Sequence, residues 1–160
     1  MTDAWVTNAS PLILFGRIGR LDLFERLSSV IIVPDAVFDE ERAGEVKDPT
    51  ASTVLKWAEK RCLPNLNVPS SVEHWDLGAG ESQVIAHGLN TSSWVVLDDI
   101  SGRRCATAHG LAVIGSLGVV LRAKKLGVIS EARPLVMKLK EAGMFLDNQT
   151  LDQGLLIIGE

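Results

Sequence analysis

The residues of this 160-residue chain best placed for chemistry are the polar side chains that follow short apolar runs. Asn8 and Ser10 follow Val6-Thr7, Glu40 lies shortly after the run that ends at Val33, Asp98 and Asp99 follow Val95-Val96-Leu97, and Gly115-Ser116 follows Val113-Ile114. Glu81 joins them if its helix feeds the same edge. Carboxylates gathered at one edge repel each other by about 1–4 kcal/mol per pair at 4 Å, depending on the local dielectric, so a cation should compensate. The set is made of oxygen donors without His or Cys. It suits a hard ion such as Mg²⁺ or Mn²⁺, which keeps several waters and binds through a few carboxylates and a substrate phosphate. His74, His87 and His109 have no mutual ligand spacing and read as surface or helix-end residues, so zinc is disfavoured. The chain contains no H-E-x-x-H, no G-x-S-x-G and no P-loop. Metal-assisted phosphate chemistry remains.

Each residue taken alone also has a plainer role. Asp99 would cap a helix starting near Ser101, which contributes about 1 kcal/mol. Glu81 in a first helical turn would gain roughly 0.3–1 kcal/mol from the helix dipole. Asp39, Glu40 and Glu41 together read equally as a solvated acidic face, and Asn8 and Ser10 as a turn and a cap. Arg103, Arg104, Arg122 and Lys125 follow the strands that end at Asp99 and Ser116. They are the candidate contacts to a nucleic-acid backbone, against the alternative of solvated helix faces.

The elements that must position these residues follow from periodicity and punctuation. Ala4 to Thr7 is a short β-prone run, and Ser10 as N-cap with Pro11 at the first helical position opens a helix to about Ile18. Asp22 caps a further turn through Leu27, Val30 to Val33 is a second strand, and Pro34 opens the helix that carries Glu40. Val54, Leu55, Trp57, Ala58 and Cys62 recur at helical spacing. Pro69 to Gly80 reads as a loop. Glu81 to Leu89 is a short helix, Trp94 to Leu97 a strand, Ser101 to His109 a helix, and Leu111 to Ile114 a strand. Gly115-Ser116 turns into another helix, and helices near Glu131 to Ala142 and Gln149 to Ile158 follow. Apolar strands alternating with helices predict an α/β fold with a parallel sheet covered on both faces. Ligands of such sheets bind beyond the carboxyl ends of the strands.

Composition sets the outer limits. With 46% hydrophobic and 22% charged residues, the chain has the make-up of one globular domain, residues 1–160, without repeats or low-complexity tracts. A net charge of −4 argues against broad coating of nucleic acid. Cys62 and Cys105 lack a C-x-x-C partner and fit a reducing cytoplasm. The run Pro11 to Phe15 is too short for a secretory signal, and Cys105 to Leu121, interrupted by His109 and three glycines, does not read as a membrane span.

Four motifs in order, Val6-Thr7-Asn8-Ala9-Ser10-Pro11-Leu12-Ile13, Pro34-x-x-Val37-x-x-Glu40, Gly80-Glu81 and Leu97-Asp98-Asp99-x-x-Gly102-Arg103, resemble those of PIN-domain proteins. Gly115-Ser116-Leu117-Gly118 matches a Gly-Ser/Thr-Leu-Gly element of one PIN-like branch of unassigned function. The resemblance spans nearly the whole chain. It implies an α/β/α sandwich with a central, mainly parallel sheet, binding of Mg²⁺ or Mn²⁺ at its carboxyl edge, and hydrolysis of single-stranded RNA. It further implies likeness to VapC toxins, hence a small antitoxin-like protein partner and a homodimer. By motif position Glu40 is the second acid, Glu81 the third and Asp99 the fourth, with Asp98 as the adjacent alternative. Ser116, with Ser10, supports the site. The sequence departs from the pattern at Asn8, where a PIN nuclease usually carries Asp, so the site has one unit of charge less.

Overall fold

The computed structural model describes residues 3–160. Its centre is a sheet of five strands in the order β3-β2-β1-β4-β5, every neighbouring pair parallel. The strands are β1 (Trp5–Thr7), β2 (Ile31–Pro34), β3 (Cys62–Leu63), β4 (Trp94–Val96) and β5 (Val113–Ile114). β1 is central, with Trp5 in register with both Ile31 and Trp94. Every residue of β1 and β2 is buried, as expected of strands covered on both faces.

Ten α-helices are described: α1 (Ala9–Arg17), α2 (Asp22–Leu27), α3 (Asp35–Ala43), α4 (Ala51–Glu59), α5 (Ser70–Glu73), α6 (Ala79–Thr91), α7 (Ile100–Ala108), α8 (Ser116–Lys125), α9 (Arg133–Glu141) and α10 (Asn148–Ile157). A short 3₁₀ turn covers Glu45–Lys47. The chain steps outward from β1 through β2 to β3, then returns to the other side of β1 for β4 and β5. Right-handed crossovers therefore place α6 and α7 on the face opposite α1 and α2. α6 is pressed closely onto the sheet, since a Cβ on its Gly88 would stand 2.7 Å from Val95 Cγ1. On the amino side of the sheet Trp5 stacks on Trp94 (6.5 Å, 17°) and meets Phe24 edge-on (6.0 Å, 88°).

Three expectations are corrected. Cys62 does not end a helix. α4 stops at Glu59, and Cys62 and Leu63 pair with Val33 and Pro34 as the edge strand. Residues 69–80 are not simply a loop, because α5 lies inside them and α6 starts at Ala79, two residues before Glu81. Ser10 is not an N-cap. The cap position is Asn8, and Ser10 is exposed in the first turn of α1. Among the described residues no helix is long and apolar enough to cross a membrane.

Candidate active site

β1 and β4 are neighbours whose onward connections leave in opposite directions, so the crevice beyond their carboxyl ends is the switch point at which doubly wound sheets bind ligands. Asn8 directly follows β1, and its backbone N–H donates to Val96 O (3.1 Å). Asp98 and Asp99 follow β4 two residues later. α3 and α6 pack against each other and bring Glu40 and Glu81 to the same crevice.

Asn8 is 3% exposed and stands at the N-cap of α1, a position where the side-chain oxygen ordinarily accepts an N–H of the first turn. It makes no capping bond. Its Nδ2 donates instead to Glu81 Oε1 (3.1 Å), and its Oδ1 is buried without a hydrogen-bond partner. Glu40 Oε1 accepts the N–H of Gly80 (3.1 Å). A Cβ at Gly80 would lie 2.6 Å from Glu40 Oε1 and 3.1 Å from Asn8 Oδ1, so the absence of a side chain lets these two oxygens close around the helix start. Burial first, and then the Glu81 carboxylate, push the Glu40 carboxyl above its ordinary range, and the Gly80 N–H partly offsets this.

The two aspartates have different surroundings. Asp98 is turned to α8, its carboxylate accepting the N–H (2.7 Å) and hydroxyl (2.5 Å) of Ser116, which is fully buried. Asp99 caps α7, its Oδ2 accepting the Gly102 N–H (2.7 Å). A Cβ at Gly102 would meet Asp99 Oδ2 at 3.4 Å and Glu81 Cγ at 3.6 Å, so Asp99 borders the Glu81 side chain. Asn8, Glu40, Glu81 and Asp99 thus form one contiguous row. Among the described residues, no three His, Cys, Asp or Glu side chains converge tightly enough to enclose a metal by themselves. Two carboxylates and an orphaned amide oxygen nevertheless fit the all-oxygen donor set by which Mg²⁺ is held.

The basic residues are dispersed. Arg103 sits at the crevice, donating to Leu97 O (2.9 Å). Arg104 is exposed on α7. Arg122 and Lys125 are not at this edge, because α8 starts at Ser116 and runs back across the sheet. The Arg122 guanidinium lies 4.7 Å from the Trp94 ring, over the first residue of β4. Glu41, which the sequence groups with Asp39 and Glu40 in a solvated acidic face, is instead 3% exposed on another side of α3, with Oε2 unpartnered. Burial, then Asp48, raise its pKa to about 7, against the pull of Arg17. Successive helical positions lie about 100° apart, and that rotation was the only available signal.

An α/β domain with a row of acids at its switch point is the class that fold and site define. A PIN-domain family model matches residues 4–160, and the chain belongs to that family. It matches no curated protein in sequence. Among solved structures it is similar to one titled as the crystal structure of VapBC2 from Rickettsia felis bound to a DNA fragment from their promoter, with 11% identity, a TM-score of 0.47, and coverage of 70% of this chain and 98% of that one.

Proposed function

We propose that the protein is an endoribonuclease dependent on Mg²⁺ or Mn²⁺ that hydrolyses phosphodiester bonds of single-stranded RNA. The observation that carries this reading is the buried, unpartnered Asn8 Oδ1 beside Glu40 and Glu81. An N-cap asparagine withheld from its cap, with its oxygen left bare, is costly unless something else meets that oxygen. Glu40, Glu81 and Asn8 would hold the ion directly or through water, with Asp99 at the end of the row. Asp98 has both carboxylate oxygens on Ser116 and instead fixes the β4–α7 and β5–α8 turns to each other. A bound divalent ion would supply a water of lowered pKa and stabilise charge developing on the phosphate. Asn8 orients Glu81 through its Nδ2, and Gly80 N–H holds Glu40 in place. Arg103, the basic side chain at the crevice, flanks the path of the phosphate backbone.

The test is cleavage of a labelled single-stranded RNA with Mn²⁺ and with EDTA. Glu81→Gln and Glu40→Gln should fall to the EDTA level while remaining folded. Cleavage by either variant at the parental rate would overturn the assignment. Calorimetry distinguishes a second reading, a module that binds without cutting, which the missing charge at Asn8 favours. Mn²⁺ binding with no cleavage would support it.

The same row of acids has no Lys or Arg ion pair among the described residues. A guanidinium matches two carboxylates through bidentate geometry, so we infer a small protein partner, antitoxin-like, that inserts an arginine there. Natively expressed protein isolated without a co-purifying small chain would count against it.

A further inference from the structure

Gly115, at the turn from β5 into α8, has φ −101° and ψ 179°, an extended backbone that any residue adopts. Its missing side chain provides space instead. A Cβ there would stand 2.5 Å from Arg103 Nη1, 2.9 Å from Asp98 Oδ1 and 3.4 Å from Leu97 O. The glycine therefore opens a slot in which the Arg103 guanidinium lies against the carboxyl ends of β4 and β5, fixed by one bond from Nη1 to Leu97 O (2.9 Å).

That guanidinium has no counter-ion. Arg17, Arg20, Arg26, Arg42 and Arg61 each pair with a carboxylate, whereas half-buried Arg103 forms no ion pair among the described residues. Asp98 and Asp99, the acids nearest to it in the chain, have turned to Ser116 and Gly102. Held by Leu97 O on the β5 side, Arg103 does not reach the rest of the row. Its parallel Nε and Nη2 donors have no acceptor among the described residues, and neither nitrogen is enclosed. That edge is the fork that matches two oxygens of a phosphate. Asp98 lies close by, but its carboxylate is bonded twice to Ser116 at the start of α8, where the helix dipole offsets its charge. Neighbouring strands are about 4.8 Å apart, so a group between the ends of β4 and β5 lies roughly 7 Å along the sheet edge from Asn8 beyond β1. One nucleotide spans that step.

We propose that Arg103 is a positioning residue that holds, through Nε and Nη2, the RNA phosphate neighbouring the one at the acidic row, and that Gly115 lacks a side chain in order to seat it. The inference rests on the ribonuclease reading for its nucleic acid, and it is tested through affinity rather than cleavage.

The labelled single-stranded RNA is titrated with Mn²⁺ at several salt concentrations, KM being read where the RNA is cleaved and Kd by anisotropy where it is not. Arg103→Gln should weaken either constant about tenfold, the scale of a charged hydrogen-bonded contact, with any kcat held within about twofold. The dependence of log affinity on log salt should become shallower by about 0.7, the contribution of one phosphate on a single strand. A merely structural Arg103 would lower thermal stability without moving that slope. Gly115→Ala keeps the charge but closes the slot, and should reproduce the loss of affinity. Arg103→Lys keeps the charge without the fork, and should retain the parental slope while losing roughly threefold in affinity. Both variants remain decisive should Arg103→Gln not fold. Lys125→Gln removes the same charge away from this edge and should leave affinity and slope near the parental values. An unchanged slope in Arg103→Gln, parental affinity in Gly115→Ala or Arg103→Lys, or an equal loss in Lys125→Gln would each overturn the inference. So would Arg103-dependent binding of polyglutamate by a protein that binds no RNA. An Arg103-dependent slope without cleavage would leave the inference standing and defeat the ribonuclease reading. Cleavage at an affinity independent of Arg103 would do the reverse.

Discussion

Replacing Asn8 by Asp changes one group, from an amide that donates to Glu81 Oε1 at 3.1 Å to a carboxylate in nearly the same volume. Two unit charges that close repel by about 5 kcal/mol at an effective dielectric of 20. The pair can escape by keeping one proton. Protonating an aspartate of ordinary pKa at pH 7 costs about 4 kcal/mol, which is smaller than the repulsion and so limits the penalty. The variant without metal should therefore be less stable than the parent by up to about 4 kcal/mol at pH 7. The folded pKa of the pair is raised, so stability falls as pH rises. The deficit should nearly vanish by pH 4, where a protonated carboxyl donates to Glu81 much as the amide does, and should grow by about 1.4 kcal/mol per pH unit above that. Mn²⁺ should recover the loss by mass action, with tighter binding than to the parent. Thermal unfolding of parent and variant at pH 4 to 8, with EDTA and with Mn²⁺, measures all of this. Identical curves in both conditions would place residue 8 outside any metal site and make it a turn residue.

Asp99→Asn keeps an N-cap oxygen for the Gly102 N–H, so unfolding should shift by less than about 1 kcal/mol while Mn²⁺-dependent cleavage falls. Undiminished cleavage at saturating Mn²⁺ would remove Asp99 from the machinery. Gly80→Ala places a methyl 2.6 Å from Glu40 Oε1 and should displace that carboxylate, weakening Mn²⁺ binding in calorimetry although alanine favours the helix by about 1 kcal/mol. Glu41, with a folded pKa of about 7 against an ordinary 4.5, retains a proton that the unfolded chain releases, so the parent loses up to about 3 kcal/mol as pH rises from 4.5 to 7. Glu41→Gln should remove that slope and be the more stable protein at pH 8. Parallel stability curves for the two proteins would refute it.

The parallel sheet was legible because β1, β2 and β4 are apolar runs, buried throughout except at Trp94, with Asn, Ser and Pro near their ends. β3 was hidden because it has two residues, and its apolar letters continue the helical spacing of α4. α5 escaped because four residues between Pro69 and a bend at Asp76 carry no full period. At the site, the motif spacings found Asn8, Glu40, Glu81 and Asp99, which the fold does bring into one row. They could not separate Asp98 from Asp99, since that difference lies in which way each carboxylate turns, one to Ser116 and one to Gly102. They also grouped Arg122 and Lys125 with Arg103, because distance along α8 from the sheet edge is not visible until the helix has a direction. His87 was read as a surface or helix-end residue but is 3% exposed, bonded to Pro64 O, and its pKa is held low by burial.

The amide at position 8 fits the rest of the row once its charge balance is considered. Glu40 already carries a raised pKa from burial and from Glu81, so a further anion would add to a site that has no cationic side chain paired with it among the described residues. An amide gives the crevice the same oxygen without that repulsion, and its N–H group turns Glu81 from a repelling neighbour into a hydrogen-bonded one. The fold can then keep three oxygen donors together in the absence of metal. The consequence is weaker electrostatic hold on a divalent ion than a third carboxylate would give, so occupancy of the proposed site would depend more on the substrate phosphate arriving with or beside the ion. Metal affinity measured with a non-cleavable RNA present should therefore exceed that of the free protein by a larger factor in the parent than in Asn8→Asp, and an equal factor in both would contradict this account.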